Sequence, residues 1–152
     1  MSFHEYEWRH SVASIALNGQ INLPQLRRAI NLLTPYKYEF RGVISELRAK
    51  LVVGALPAVA EIRKAAEHED IHQDIDFWVV FRNELLSDVP IQVKSSQEGI
   101  NQIIRNSGGL NPEIIYLNCG PKPTDEEILD QFTTQLAVIR ERADHKNLDN
   151  QS

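Results

Sequence analysis

Asp74-Ile75-Asp76-Phe77-Trp78-Val79-Val80-Phe81, followed by Val89-Pro90-Ile91-Gln92-Val93-Lys94-Ser95-Ser96, decides how this chain is read. Both are apolar runs of strand length, and the stretch between them leaves room for a hairpin connection. Side chains alternate faces along a strand, so Gln92 and Lys94 point one way while Ile91 and Val93 point the other. An amide and a lysine on one face of so apolar a strand call for something that needs them there. An antiparallel neighbour beginning at Asp76 supplies a carboxylate beside them. Acid, amide and lysine in one patch are, in outline, the groups of a metal-dependent phosphodiester-cleaving site.

Upstream of this pair, Phe40 to Val53 reads as a helix with Val43, Ile44, Leu47 and Leu51 as its buried stripe and Gly54 as its stop. Glu46 falls at the edge of that stripe, where pairing with Lys50 four residues on is the plain alternative to a chemical role. Leu56 to Ile62 is ambiguous: alternation and Pro57 suggest a strand, whereas the Ala-rich stretch that follows suits a helix. Further back, Asn22 caps a helix with Pro24 in its first turn and Leu23, Leu26, Ile30 and Leu33 at helical spacing. Thr34-Pro35 ends it, and Arg27 and Arg28 lie on its outer side. Phe3 to Trp8 alternates weakly, as a strand or an ordered arm would, and Asn18-Gly19 is a turn or helix stop. A helix-turn-helix is a weaker reading of this region than an extension packed on the core or on a partner subunit.

Downstream, Ser95 or Ser96 caps a helix containing Ile100, Ile103 and Ile104 that stops at Gly108-Gly109. Glu113 to Asn118 reads as a buried strand between Asn111-Pro112 and Gly120-Pro121. Thr124-Asp125-Glu126-Glu127 is a capping box, and Ile128, Phe132, Leu136 and Ile139 give the last helix an apolar face. From Asp144 the tail is polar and expected to fray. Together these elements make an α/β domain, a mixed sheet flanked by helices.

The order helix with Glu46, strand with Asp76, strand with Gln92-Val93-Lys94, helix, strand, helix resembles the restriction-endonuclease-like superfamily. The signature of that superfamily is an acid, a spacer and (Asp/Glu)-x-Lys, often with a glutamate on the first core helix. Here that helix carries Gly42-x-x-x-Glu46-x-x-Ala49 and ends at Val53-Gly54, and the resemblance spans roughly Phe40 to Ala143. Gln92 departs from the pattern, since an amide is a weaker ligand for a hard cation than a carboxylate. The resemblance implies a restriction-endonuclease-like core over 40–143, with a central mixed sheet of four to five strands flanked by helices. An N-terminal extension over 1–39 would serve assembly or DNA contact, and 144–152 would be a polar tail.

The activity implied is that of a Mg²⁺-dependent DNA endonuclease of restriction, homing or junction-resolving type, with Mn²⁺ able to substitute. Asp76 would be the main metal ligand, Glu46 would complete the shell, and the Val93 main-chain carbonyl would be a further ligand. Lys94 would orient or deprotonate the attacking water or stabilise transition-state charge, and Gln92 would hold a metal-bound water or ligate weakly. Asp74, two residues before Asp76 on the same face, is the alternative acid. Arg27, Arg28 and Arg41 are candidate DNA contacts. Cutting both strands of a duplex takes two active sites, so a homodimer or higher symmetric oligomer is expected.

Composition fits one domain: 152 residues suffice for a sizeable core, and 42% apolar with 24% charged residues is ordinary for a soluble globular chain. No apolar run reaches membrane-span length, and the start lacks a signal pattern, so a cytoplasmic setting is expected. A single cysteine, Cys119, rules out a disulfide framework and a thiolate zinc site. The net charge of −5 is unevenly placed. Through Lys64 nine Lys/Arg outweigh five Asp/Glu (+4), and beyond it sixteen acids outweigh seven bases (−9). Such asymmetry suits a polyanion-facing side, or simply a solvated one.

Two other readings compete. A catalytically degenerate family member would bind nucleic acid or a protein partner without cutting, and Gln92 and the acidic total favour it. A zinc hydrolase would use His68-Glu69-Asp70-Ile71-His72, but that chemistry needs both imidazoles on one face of a continuing helix plus a third ligand. A strand starting by Asp76 leaves little room for that helix.

Overall fold

The computed structural model describes residues 1–69 and 74–151. Its first helix, α1 (Phe3–Asn18), starts at Ser2, whose hydroxyl accepts the Glu5 N–H. The expected strand or arm at Phe3 to Trp8 is therefore helix. The period was hidden because apolar side chains lie all round: Ala13 and Ala16 are buried, while Phe3, Trp8 and Ile15 face solvent. Helix α2 (Leu23–Leu33) is capped by the Asn22 side chain and passes at Thr34-Pro35 into a 3₁₀ turn. Helix α3 (Arg41–Gly54) leads into β1 (Val59–Lys64), β2 (Phe77–Phe81) and β3 (Val89–Lys94). Helix α4 (Gln97–Ser107), β4 (Ile115–Asn118) and α5 (Asp125–Gln151) complete the chain. The ambiguous stretch after α3 resolves as a strand, shifted toward Lys64 relative to expectation. Among the described residues no helix is long and apolar enough to cross a membrane.

The four strands form one open mixed sheet in the order β1-β2-β3-β4. β1, β2 and β3 are an antiparallel meander, and β4 joins β3 in parallel after the α4 crossover. One sheet face presents Ile62, Phe77, Val79, Ile91, Val93, Ile115 and Leu117 to Ala49 and Val53 of α3 and Ile128, Phe132 and Leu136 of α5. The opposite face carries Trp78 and Tyr116, which cluster with Ile75, Ile100 and Ile103 beneath α4.

Helix α3 is buried on two sides. Ala49 and Val53 lie against the sheet, while Val43, Ile44, Leu47 and Leu51 join Ala13, Ala16, Leu26, Ala29 and Leu33 of α1 and α2. The N-terminal residues are thus a helical layer packed on α3. Lys50, only 2% exposed, bolts the layer down: its Nζ donates to the carbonyls of Ala16 (3.0 Å), Leu17 (2.9 Å) and Gly19 (2.8 Å). Those are carbonyls at the end of α1 that a helix leaves without intrahelical partners. Lys50 therefore serves to hold the end of α1.

The outer edge of β4 is closed by side chains. Gln135 accepts the Tyr116 N–H and donates to the Tyr116 carbonyl, both at 2.8 Å. One turn earlier, Gln131 accepts from Asn118 N–H (2.8 Å) and donates to its carbonyl (3.3 Å). A fifth strand beside β4 would have to displace both amides, so the sheet has four strands among the described residues. Thr124 and Glu127 form the expected capping box at the start of α5. The expected frayed tail is helical through Gln151, with Lys146 of that stretch paired to Glu113 at 3.7 Å.

Candidate functional site

The candidate residues converge where β2 begins beside β3. The Asp76 N–H donates to the Ile91 carbonyl (2.9 Å), although Ile91 is already the register partner of Phe77. Asp76 thus meets β3 just ahead of the ladder that Phe77 begins. Here the Asp76 carboxylate is turned onto the main chain of β3, and its Oδ2 accepts the Val93 N–H at 2.6 Å. In a strand the N–H and C=O of one residue lie on the same edge, so the Val93 carbonyl faces the same gap at the start of β2. Asp76 and the Val93 main chain are thus brought together. Lys94 turns its main chain the other way, its carbonyl accepting the Cys119 N–H (2.8 Å) from the β4 side.

Gln92 and Lys94 share one sheet face, as alternation requires. Gln92 is buried at 6% exposure beside Tyr116, its register partner on β4. Lys94 is half-buried, and its aliphatic stem lies along the first turn of α4: a Cβ added to Gly99 would stand 3.3 Å from Lys94 Cβ. Ser96, whose hydroxyl accepts the Gly99 N–H at 3.1 Å, fixes the start of that helix. Glu46, half-buried on α3, belongs to the layer on the opposite face of the sheet from Gln92 and Lys94.

The candidate DNA contacts divide. Arg41, exposed at the start of α3, reaches the Ser95 carbonyl with its guanidinium (3.4 Å), one residue beyond Lys94. Arg27 and Arg28 are exposed on α2, a layer removed from the sheet. Arg48, not singled out in the sequence, binds the Gly120 carbonyl, the Pro123 carbonyl (2.6 Å) and Asp125 (3.0 Å), and so ties α3 to the loop after β4. No local motif announces it, since its partners lie more than seventy residues away in sequence.

The donors at the Asp76 end are oxygen atoms. Among the described residues no three His, Cys, Asp or Glu side chains converge on one point. A cation here would be held by one or two carboxylates, a main-chain oxygen and water, the pattern Mg²⁺ accepts and a zinc cage does not. His72 of the His-Glu-x-x-His stretch lies outside the described residues, while Glu69 pairs with Arg63 (3.8 Å) and accepts the Ala66 N–H (2.9 Å).

Asp74 and Gln92 also line an open cavity of about 960 Å³ between the α4 face of the sheet and the end of α4; Asp76, Lys94 and Glu46 do not line it. Asp74 is exposed, in the left-handed region at φ 53°. Comparison of the chain with family models, curated proteins and solved structures found no match.

Proposed function

We propose that the chain is a Mg²⁺-dependent DNA endonuclease with a restriction-endonuclease-like core. The observation that carries this reading is the turn of the Asp76 carboxylate onto the Val93 main chain, with Lys94 one residue on. The order of elements supports it: helix, antiparallel meander, crossover helix, parallel strand, helix. Asp76 and the Val93 carbonyl would hold the cation, which when bound supplies Lewis acidity toward the phosphate and a more acidic water. Glu46 is the second carboxylate proposed for it. Lys94, its stem held against Gly99, presents an ammonium to the attacking water or to the charge that develops on phosphorus. Arg41 at Ser95 places a guanidinium beside the same strand end for a flanking phosphate. Double-strand cutting would take two copies.

Nicking of supercoiled plasmid with Mg²⁺, Mn²⁺ or EDTA, with Lys94→Ala and Asp76→Asn alongside wild type, tests this. Metal-dependent cutting that falls by about 10²–10⁴ in Lys94→Ala is expected, the range for loss of a positioned acid–base group. Absence of cutting together with absence of Mg²⁺ or Mn²⁺ binding by calorimetry would sink the assignment. A specific observation favours the degenerate binder as second reading: Gln92 gives the site an amide where a carboxylate would bind the cation more strongly. DNA binding that is retained in EDTA, without cutting in any metal, would select it.

A further inference from the structure

The cavity beside Gln92 has a chemistry of its own. Among the described residues no lysine, arginine or histidine lines it, whereas Asp74 and Glu113 do, Glu113 with the Lys146 ammonium 3.7 Å away on its outer side. It also abuts the last residues of α4, Asn106 and Ser107, and the Gly108-Gly109 turn that follows. The C-terminal end of a helix carries partial negative charge on its last carbonyls. The charged groups of the described lining are therefore of one sign, and Lys146 is the counter-charge that a ligand would displace from Glu113.

Gln92 gives the independent indication of a ligand. It is 6% exposed and lines the cavity, yet its carboxamide makes no hydrogen bond to any described residue. Gln92 presents that unpartnered amide to the cavity, and the Trp78 indole N–H on the same wall is buried without a partner as well, where buried polar groups ordinarily find one. Its neighbour Tyr116 accepts the Asn111 N–H at 3.1 Å through its hydroxyl oxygen and so stays fixed in the wall. Trp78 adds an aromatic surface, with the Arg63 guanidinium 5.3 Å from its ring.

We infer that this cavity binds a small organic cation bearing ammonium or guanidinium groups, with Asp74 and Glu113 taking its charge and the Gln92 carbonyl accepting one of its N–H groups. Phosphates and nucleotides are disfavoured, because nothing cationic in the described lining would meet them. A bare metal ion is disfavoured as well, since among the described residues no third His, Cys, Asp or Glu joins the two carboxylates. The inference does not rest on nuclease chemistry: the cavity shares Gln92 and Asp74 with that reading, but neither Asp76 nor Lys94 lines it.

Titration with agmatine, with the peptide acetyl-Gly-Arg-Gly-amide and with AMP, followed by ¹⁵N NMR and calorimetry, tests it. Agmatine or the peptide is expected to saturate by on the order of 10 mM, shifting the Trp78 indole, the Gln92 side-chain amide and the Gly108 and Gly109 amides. The tighter of the two tells whether the cation is free or carried on a peptide. The double variant Asp74→Asn, Glu113→Gln should weaken binding by at least about ten-fold, as two charge-assisted contacts become neutral ones. Both sites are exposed and Asn tolerates the left-handed backbone of Asp74, so the fold survives the change. Gln92→Met, of similar volume, should weaken binding while leaving the other resonances in place. No saturable shift, equal or tighter binding of AMP at the same residues, or undiminished affinity in the double variant would overturn the inference.

Discussion

Lys50 and Cys119 show how burial sets the chemistry of single residues here. Burial lowers the Lys50 pKa from its ordinary value. Between that lowered pKa and the ordinary lysine value of about 10.4, the unfolded chain binds more protons than the folded one, so stability rises with pH across that window. Urea unfolding of wild type and Lys50→Met should show the wild type gaining on the variant as pH climbs toward that upper limit. A constant difference would mean that the ammonium is not burdened by its burial. Cys119 is 2% exposed, and burial first of all pushes its thiol up to about 12, Arg48 opposing and Asp125 adding to the shift. Since the thiolate is the reactive form, a thiol reagent at pH 8 should leave the folded protein untouched and label it once in denaturant. Prompt labelling of the native chain would show that the strand end opens.

The elements are held by contacts of two kinds, and only one could be read in advance. Asn22, Ser96 with Gly108, and Thr124 with Glu127 are local signals, and each marks its helix end as expected. The alternation placing Gln92 and Lys94 on one face was equally legible. By contrast, the Lys50 contacts span more than thirty residues and those of Arg48 more than seventy, and nothing in a local window announces them. The same holds for the approach of Asp76 to the Val93 N–H, which depends on how two strands meet. Gly120 shows how close that packing is: an added Cβ would lie 1.9 Å from the Ser95 carbonyl oxygen. Gly120→Ala should therefore unfold or insolubly misfold the chain, the response to overpacking against backbone. Gln135→Ala should cost about 1–3 kcal/mol by stripping both partners from Tyr116, and lower Tm by roughly 2–4 °C per kcal/mol in a chain of this size. Thermal melts decide it; an unchanged Tm would mean that water replaces the amide without loss.

At the scale of the molecule, the α/β class, the mixed sheet and the helices on its faces follow from alternation and capping, whereas the helical N-terminal layer does not. α1 is apolar on more than one side, so it has no single period to read, and its place is settled by α3, which serves both cores at once. Sharing that helix should couple the two cores, so that far-UV circular dichroism and tryptophan fluorescence, with Trp8 in one layer and Trp78 in the other, report coincident unfolding. Separate midpoints would show a layer that melts alone. The glutamine pair on β4 also limits how copies can join. With that edge occupied, the edge left for a neighbouring sheet among the described residues is β1, whose Glu61, Arg63 and Lys64 are exposed. Pairing of β1 with another β1 uses the same edge twice and is complete at two copies. A fibre would need a donor edge and an acceptor edge on every copy, and the described residues offer one.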